Sequence, residues 1–167
     1  MITIREAKKE DIESMIKIGI QCFPYDFQDG TGNDNSYANA KDWFSERFSN
    51  KSFSRYHVAE YEGKIVGYVF HIMIGGLSGV VQLEQIGVDA GKREMGVGTE
   101  LIMGAEKFWK NYLPKRFGKP LYKMLLTTSK INDNAHNLYK KCGFEYDTTM
   151  KEIYWGNDEE IWIKEYN

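Results

Sequence analysis

The segment from Val88 to Thr99 holds the residues of this 167-residue chain whose types and spacing best suit an anion. It reads Val-Asp-Ala-Gly-Lys-Arg-Glu-Met-Gly-Val-Gly-Thr, between an apolar run (80–88) and a run of helical periodicity (98–112). The N-terminus of a helix offers unpaired N–H groups and about half a positive charge. Glycine lets a phosphate oxygen approach the backbone, and the Arg93 guanidinium matches phosphate oxygens. The segment therefore predicts a phosphate-binding turn between a strand and a helix.

Two common phosphate-binding patterns do not fit this turn. A Rossmann dinucleotide fingerprint requires a third glycine three residues after the second, and that position holds Leu101. A Walker A loop requires Gly-Lys followed by Ser or Thr, and the sequence contains no such tripeptide. The pattern that remains is Arg-x-x-Gly-x-Gly, from Arg93 to Gly98.

A second segment, from Asn132 to Phe144, follows the apolar run 121–128. It matches Asn-x-x-Ala-x-x-x-Tyr-x-x-x-Gly-Phe, and the first segment matches Val-x-x-x-x-Arg-x-x-Gly-x-Gly. With both blocks in this order, and with the opening Ile-Thr-Ile-Arg-Glu-Ala at 2–7, the chain resembles the GCN5-related N-acetyltransferase (GNAT) superfamily over nearly its whole length.

The resemblance implies acetyl-coenzyme A (acetyl-CoA) as the cofactor and direct transfer of its acetyl group to a primary amine. It implies that the pyrophosphate binds the backbone amides after the arginine, and that the pantetheine arm pairs with the fourth strand, where Gly87 leaves room beside the backbone. The expected cofactor-binding residues are Ile86, Gly87, Val88, Arg93, Glu94, Met95, Gly96, Val97, Gly98, Thr99, Asn132 and Tyr139.

Glu94 departs from the family pattern, since many members have glycine directly after the arginine. The backbone amides survive that change. A carboxylate beside a pyrophosphate would repel it unless the side chain points outward or pairs with Lys92. We expect the Glu94 side chain to point outward.

Tyr139 and Glu84 are the predicted catalytic residues. Tyr139 occupies the family's tyrosine position, where a phenol can donate a proton to the thiolate of coenzyme A. The alternative is that Tyr139 is an aromatic in the apolar stripe of a helix.

Glu84 can accept the proton that an ammonium must lose before attack. The alternatives are that Glu84 is a solvent-facing or paired carboxylate and that a water chain is the base. In a regular strand Glu84 shares a face with Gln82 and Ile86, and a bulge would shift it.

Other polar and aromatic residues favour structural roles. We interpret His71 as a satisfied structural histidine rather than part of an acceptor cleft, and His57 and His136 as exposed or packed. Cys142 has no partner base for an acetyl-enzyme. Asn132 can cap a helix and also contact the cofactor. The aromatic-rich hairpin 155–162 favours a place in the core over a dimer edge.

The elements that must position these residues form an α/β (α+β) fold, a GNAT-like mixed and mostly antiparallel sheet of about seven strands with four helices. The resemblance implies that the central strands 4 and 5 splay apart. Strands are predicted at 2–5, 55–61, 64–74, 80–88, 121–128, 144–155 and 159–165, with a turn at 156–158. The predicted helical stripes are Ile12, Met15, Ile16, Gly19 and Phe23; Ala40, Trp43, Phe44 and Phe48; Leu101, Ile102, Ala105, Phe108, Trp109 and Tyr112; and Ala135, Leu138, Tyr139 and Cys142.

Proline and glycine residues predict where these elements end. Pro24 ends the first helix, and Gly143 closes the fourth in a left-handed cap. The segment 114–120, bounded by two prolines, is predicted to be a loop.

The length of 167 residues predicts a single domain over residues 1–167. Hydrophobic residues make up 42% of the chain, which indicates a globular protein rather than a disordered one. The net charge of −2 predicts no nucleic-acid partner and no membrane-surface partner. Only Cys22 and Cys142 are present, too few for a disulfide scaffold or a zinc site, so no metal is expected. With neither a signal peptide nor a membrane-spanning run, we expect a cytoplasmic protein.

The acceptor and the class of function leave alternatives open. The segment 25–37 mixes Asp26, Asp29 and Asp34 with aromatics, which suits a cationic amine but also a solvated loop. The amine belongs to a small molecule or a peptide, and the protein is a monomer or a homodimer. The alternatives to the enzyme are a non-catalytic acyl-CoA-binding sensor or interaction module, and a protein that binds another phosphate-bearing ligand such as a nucleotide.

Overall fold

The computed structural model describes residues 1–28, 35–49, 53–154 and 156–166. Within them, seven strands and four α-helices follow one another along the chain. They are β1 (Thr3–Glu6), α1 (Ile12–Cys22), α2 (Ser36–Ser49), β2 (Ser54–Tyr61), β3 (Lys64–Ile74), β4 (Val80–Val88), α3 (Val97–Phe117), β5 (Lys123–Ser129), α4 (Asp133–Lys141), β6 (Glu145–Tyr154) and β7 (Asn157–Glu165). Short 3-10 turns precede α1 and follow β4, at Lys9–Asp11 and Ala90–Lys92.

The seven strands form one sheet in the order β1-β2-β3-β4-β5-β7-β6. β4 and β5 run parallel, with Val80–Leu83 opposite Lys123–Leu126, because the connection between them passes through α3. β1 pairs with β2, and β7 pairs with both β5 and β6, in antiparallel fashion. The predicted mixed, mostly antiparallel sheet is confirmed, and the splaying of β4 from β5 stays a prediction.

The chain divides into two compact units, so the prediction of one domain stays a prediction. The first unit comprises residues 1–70 and 85–104. Its core is formed by one face of α1 and one face of α2 packed against inward residues of β2 and β3. These core residues are Ala7, Met15, Ile16, Ile18, Phe27, Ala40, Phe44, Tyr56, Val58, Tyr68 and Phe70. The predicted stripes of the first two helices are thereby confirmed.

The second unit comprises residues 71–84 and 105–167. It buries apolar residues from β4, α3, β5 and β7, together with the C-terminal part of α4. These are Val81, Leu83, Ala105, Trp109, Leu113, Met124, Leu126, Tyr139, Phe144 and Trp162. Trp162 thus has the core position favoured for the last hairpin, whereas Trp155 lies outside the described residues.

The predicted loop at 114–120 is wrong over residues 114–117, because α3 continues through Pro114 to Phe117. Proline lacks the N–H that the preceding turn would receive, yet Leu113 is fully buried and holds this part of the helix in the core. Gly118 then ends α3: its φ is 63°, and its N–H donates to the Pro114 carbonyl at 3.0 Å. Tertiary burial has overridden a local stop signal.

The predicted turn of the last hairpin is also wrong in position. β7 already begins at Asn157, which pairs with Tyr154, so Asn157 and Asp158 belong to the strand rather than to the turn predicted at 156–158. Gly156 has a φ of 75°, which suits a tight turn. No helix in the described parts of the chain is both long and apolar enough to cross a membrane.

Candidate active site

Burial alternates along β4 without interruption. The inward positions are Val81, Leu83, Gln85 and Gly87. Glu84 is exposed and shares the other face with Gln82 and Ile86, which are half-buried. The strand therefore has the regular pleat that places the predicted base on the less buried face.

Gln85 is a buried polar residue that the sequence interpretation missed. Its side chain is 8% exposed, and its Oε1 accepts a hydrogen bond of 2.6 Å from the Tyr68 hydroxyl on β3. Burial raises the pKa of Tyr68 well above its usual value, so the phenol remains a donor. The burial of Gln85 could have been predicted from the sequence, because in a regular strand it lies on the same face as the apolar residues Val81 and Leu83.

The absence of a side chain at Gly87 is explained by the packing of β3 and α1 against it. A Cβ on Gly87 would lie 2.7 Å from Tyr68 Cε1 and 3.1 Å from Ile18 Cγ2. The space on the Cβ side of this glycine is therefore filled by the chain's own side chains, and room for the cofactor arm along the strand edge stays a prediction. The glycine is required for the close approach of Tyr68.

The turn after β4 combines a capped 3-10 turn with two left-handed residues. Asp89 Oδ1 accepts from the Gly91 amide at 2.8 Å, and Glu94 and Gly96 have φ of 66° and 83°. α3 begins at Val97, and Glu100 donates to the Gly96 carbonyl at 3.0 Å. The amides of the first turn of a helix have no carbonyl partner within that helix. The segment thus has the strand, turn and helix start that were predicted.

The C-terminal end of α1 braces this turn. The Ala90 amide donates to Gln21 Oε1 at 3.3 Å, and Cys22 Sγ donates to the Val88 carbonyl at 3.4 Å. Arg93 Nη2 lies 3.8 Å from Cys22 Sγ, so the guanidinium sits at the end of α1. Neither Gln21 nor Cys22 was singled out from the sequence, since these contacts span about seventy residues of chain.

Glu94 is exposed, which agrees with the expected outward orientation. Its positive φ explains why a glycine suits this position, because side chains are strained in the left-handed region. Lys92 places its ammonium 4.9 Å from the centre of the Tyr61 ring.

The helix α4 is capped at both ends in a way that accounts for the spacing of the second motif. Asn132 Oδ1 accepts from the Ala135 amide at 3.2 Å, so the predicted N-cap is confirmed. At the other end Gly143 has a φ of 82°, and it donates to the Lys140 carbonyl at 3.0 Å. Phe144 donates to the Tyr139 carbonyl, also at 3.0 Å. These two bonds define a Schellman motif, so Tyr-x-x-x-Gly-Phe is the sequence of a helix end.

The sequence profile described as the acetyltransferase (GNAT) family matches residues 12–144. This range includes the turn after β4, the whole of α4 and its cap. The chain belongs to the acetyltransferase (GNAT) family. The predicted acetyl-CoA-dependent N-acetyltransferase and its cofactor, acetyl-CoA, are confirmed with the family.

The acetyltransferase is similar to proteins named for different amines. It is 26% identical over 160 residues to an N-alpha-acetyltransferase of Sulfurisphaera tokodaii, covering 90% of this chain and 84% of the relative. A spermidine N-acetyltransferase from Vibrio cholerae, solved in complex with CoA and spermine, has a TM-score of 0.76 at 18% identity, covering 98% of this chain and 95% of that one. Ard1 from Thermoplasma volcanium has a TM-score of 0.72 at 20% identity, covering 99% and 98% of the two chains. The structural likenesses confirm the predicted fold.

Tyr139 of the acetyltransferase is buried in the second unit, with 7% of its surface exposed. Burial, followed by the nearby Cys142 and the charge of Glu159, raises the pKa of Tyr139 to about 12. Its ring meets that of Phe144 edge to face, with 6.2 Å between the centres. The phenol is therefore held in the apolar stripe and keeps its proton at neutral pH.

The predicted site residues fall in both units of the acetyltransferase. Ile86, Gly87, Val88 and the turn 93–99 belong to the first unit. Glu84, Asn132 and Tyr139 belong to the second, the last two on α4 and its cap.

The histidines have the structural surroundings that were favoured. His71 is fully buried, and its Nδ1 accepts a 2.7 Å hydrogen bond from Trp109 Nε1. His57 is buried on β2, where burial and the nearby charge of Arg55 lower its pKa to about 4. His136 stacks on Trp162, with 5.2 Å between ring centres.

The segment considered for the acceptor is described only in part. Asp29 and Asp34 lie outside the described residues. Asp26 is exposed in the turn after α1, where its amide donates to the Phe23 carbonyl at 3.2 Å. Phe27 is a core residue that meets Trp43 edge to face at 5.9 Å, so this aromatic packs inside the first unit.

Proposed function

We propose that the enzyme acetylates a primary amine by direct transfer from acetyl-CoA. The observation that carries the proposal is the turn from Arg93 to Thr99, where two left-handed residues lead into the N-terminus of a long helix. When bound, acetyl-CoA supplies an acetyl group activated as a thioester. Residues of the chain bind and orient the cofactor, stabilise the departing thiolate and take a proton from the amine.

The turn fits the diphosphate part of this cofactor. The amides of Val97, Gly98 and Thr99 belong to the first turn of α3, and Arg93 is an exposed cation braced by Cys22. A helix N-terminus stabilises an anion by roughly 0.3–2 kcal/mol, and hydrogen bonds from several amides add to this. We assign the backbone from Glu94 to Thr99, with Arg93, to the pyrophosphate.

The end of β4 is assigned to the extended arm of the cofactor. The less buried face of the strand includes Ile86 and Val88, and main-chain groups from Ile86 to Val88 can pair with amide groups of the arm. Gly87 contributes its backbone only, because Tyr68 fills the space beside its Cα. Asn132 uses its carbonyl oxygen for the helix cap, so a cofactor contact from this residue uses its amide nitrogen.

Tyr139 is assigned the role of hydrogen-bond donor at its Oη. A thiol has an ordinary pKa of about 8.5, far below the value of about 12 that burial gives Tyr139. Complete transfer of the proton to a thiolate is therefore uphill, whereas a hydrogen bond from the phenol is available throughout the neutral range. Tyr139 stabilises the departing negative charge in this way.

Glu84 is assigned the role of base at its carboxylate. It is exposed on β4, where the carboxylate can take a proton from an ammonium directly or through water. The acceptor is a peptide N-terminus or a small polyamine; the relatives named for both kinds of amine support testing the two classes side by side. We propose the cytoplasm as the compartment, consistent with free thiols at Cys22 and Cys142.

The test is release of coenzyme A thiol with a panel of peptides, spermidine and lysine, for the wild type, Tyr139→Phe and Tyr112→Phe. The last variant removes a phenol hydroxyl from the same unit, at a half-buried position on α3. We expect Tyr139→Phe to lower kcat by about 10²-fold, the lower end of the range for losing one hydrogen-bond donor to a developing negative charge, with KM for acetyl-CoA nearly unchanged. Tyr112→Phe should retain wild-type kcat.

Several outcomes contradict the proposal. A Tyr139→Phe variant with wild-type kcat removes the role of the phenol. Stabilisation by acetyl-CoA without thiol release on any amine indicates a non-catalytic acyl-CoA-binding module. A thermal shift with a nucleotide but not with coenzyme A removes the cofactor assignment, since the true ligand at about 100 times its Kd adds roughly 2.7 kcal/mol.

A further inference from the structure

The C-terminal end of α4 is held by a charged side chain from β7. Lys164 Nζ donates to the Cys142 carbonyl at 2.9 Å and to Glu106 Oε2 at 2.7 Å. Glu106, on α3, accepts a second hydrogen bond at Oε1 from Lys110 Nζ at 2.6 Å. One ammonium therefore joins α4, β7 and α3 within the second unit.

Lys164 acts on the part of α4 that carries Tyr139. Cys142 is the C-cap residue, and its carbonyl belongs to the group that a helix end leaves without a helical partner. The stem of Lys164 also lies along the cap glycine, where a Cβ on Gly143 would be 3.5 Å from Lys164 Cε. The Tyr139 carbonyl accepts the hydrogen bond of the same Schellman motif. The carbonyls of Cys142 and Tyr139 are therefore both held at the same helix end.

The ion pair between Lys164 and Glu106 is partly buried and anchored by the sheet. Side-chain exposure is 24% for Lys164 and 15% for Glu106, so the pair is screened less than a surface ion pair. Burial acts to raise the pKa of Glu106, but the hydrogen bonds from Lys110 and Lys164 outweigh it and hold the pKa below its usual value. β7 lies between β5 and β6, and Lys164 is paired in register with Met124, which anchors the lysine backbone.

We propose that Lys164, oriented by Glu106, is a positioning residue that sets the place of the Tyr139 hydroxyl. The inference rests on the proposed function of Tyr139. Without the ammonium, the Cys142 carbonyl loses this hydrogen bond and the last turn of α4 gains freedom to open. A group displaced by about 1 Å loses much of its contribution to rate, even when it is chemically intact.

The experiment compares Lys164→Met with Lys123→Met in the wild-type and Tyr139→Phe backgrounds. Lys123 is the matched control, because it forms an ion pair of 2.9 Å with Glu165 in the same unit. We expect Lys164→Met to lower kcat about 10-fold with KM for acetyl-CoA nearly unchanged. Lys164→Arg should restore most of the loss, and Lys123→Met should have wild-type kcat.

The double variant separates positioning from general destabilisation. If Lys164 acts through Tyr139, Lys164→Met has little further effect on kcat in the Tyr139→Phe background. An equal loss in both backgrounds, or wild-type kcat in a folded Lys164→Met protein, overturns the inference and leaves the role of Tyr139 standing. A wild-type kcat for Tyr139→Phe alone overturns the proposed function instead.

Glu106→Gln provides a second route if Lys164→Met does not fold. The glutamine has the shape of the glutamate and leaves the bond from Lys164 to the Cys142 carbonyl in place. We expect a smaller loss of kcat, about 3-fold, that again disappears in the Tyr139→Phe background. A Glu106→Gln protein with wild-type kcat overturns the role of the pair.

Discussion

Glu94 offers a quantitative test of the turn, because its side chain both strains the backbone and places a negative charge beside the proposed pyrophosphate site. Its φ of 66° is in the left-handed region, which costs a residue with a side chain roughly 1–2 kcal/mol. Glycine avoids this strain but gives the unfolded chain more freedom, at roughly 0.5–1 kcal/mol. Glu94→Gly is therefore expected to raise the free energy of unfolding by roughly 0–1.5 kcal/mol, with about 0.75 kcal/mol at the centre of the two ranges, although it removes a side chain.

The second penalty is electrostatic and concerns the cofactor. The Glu94 carboxylate is exposed, directly after the arginine assigned to the pyrophosphate. In water, a carboxylate and a doubly charged diphosphate that are about one Debye length apart (~8 Å) repel by roughly 1 kcal/mol before screening. Removing the charge should lower KM for acetyl-CoA by about 2- to 5-fold, and the difference should shrink as salt is added.

Glu94→Gln separates the two penalties, because it removes the charge and keeps the strained side chain. Urea unfolding should show little change for Glu94→Gln and a gain for Glu94→Gly, while both variants share the lower KM for acetyl-CoA at low salt. A loss of more than about 1 kcal/mol in Glu94→Gly would contradict the strain argument. An unchanged KM in both variants would place the pyrophosphate elsewhere.

Two further predictions concern the cap of α4 and the buried histidine. Gly143→Ala and Gly118→Ala each put a side chain at a positive φ, of 82° and 63°, and should each lower the free energy of unfolding by roughly 1 kcal/mol. Only Gly143→Ala should also lower kcat in the thiol-release assay, and an equal loss in Gly118→Ala would contradict the link between the cap and Tyr139. His57 has a folded pKa of about 4, below its unfolded value, so the unfolded chain binds the extra proton and stability falls as pH drops from 6.5 towards 4. Urea unfolding at pH 7 and 5 should show a loss of about 2 kcal/mol from this residue that is missing in His57→Gln; an equal loss in that variant would assign the acid sensitivity to other groups.

Local patterns in the sequence were sufficient for the main elements and for both motifs. The stripes of α1 and α2 and the alternation along β4 were readable because the periods of helix and strand are set by backbone geometry. The N-cap at Asn132 and the left-handed Gly143 were readable because capping involves neighbours within a few residues. The order of the two motifs was enough to identify the family.

Contacts between distant parts of the chain decided the rest. A glycine is needed at position 87 because Tyr68 packs against it. Gln85 can be buried because it accepts a hydrogen bond from the Tyr68 hydroxyl, 17 positions earlier in the chain. Pro114 remains inside α3 because Leu113 is buried, a fact that no local stop signal conveys.

The sequence by itself determined two local features. One is the strand, turn and helix start that can bind an anion, and the other is a tyrosine that lies one turn before the end of a helix. Only the tertiary structure decided which side chains hold them, since Lys164 reaches Cys142 across 22 positions and Glu106 across 58. The physical reason is that hydrogen-bond ladders and caps are local, whereas burial and ion pairing depend on which distant elements pack together.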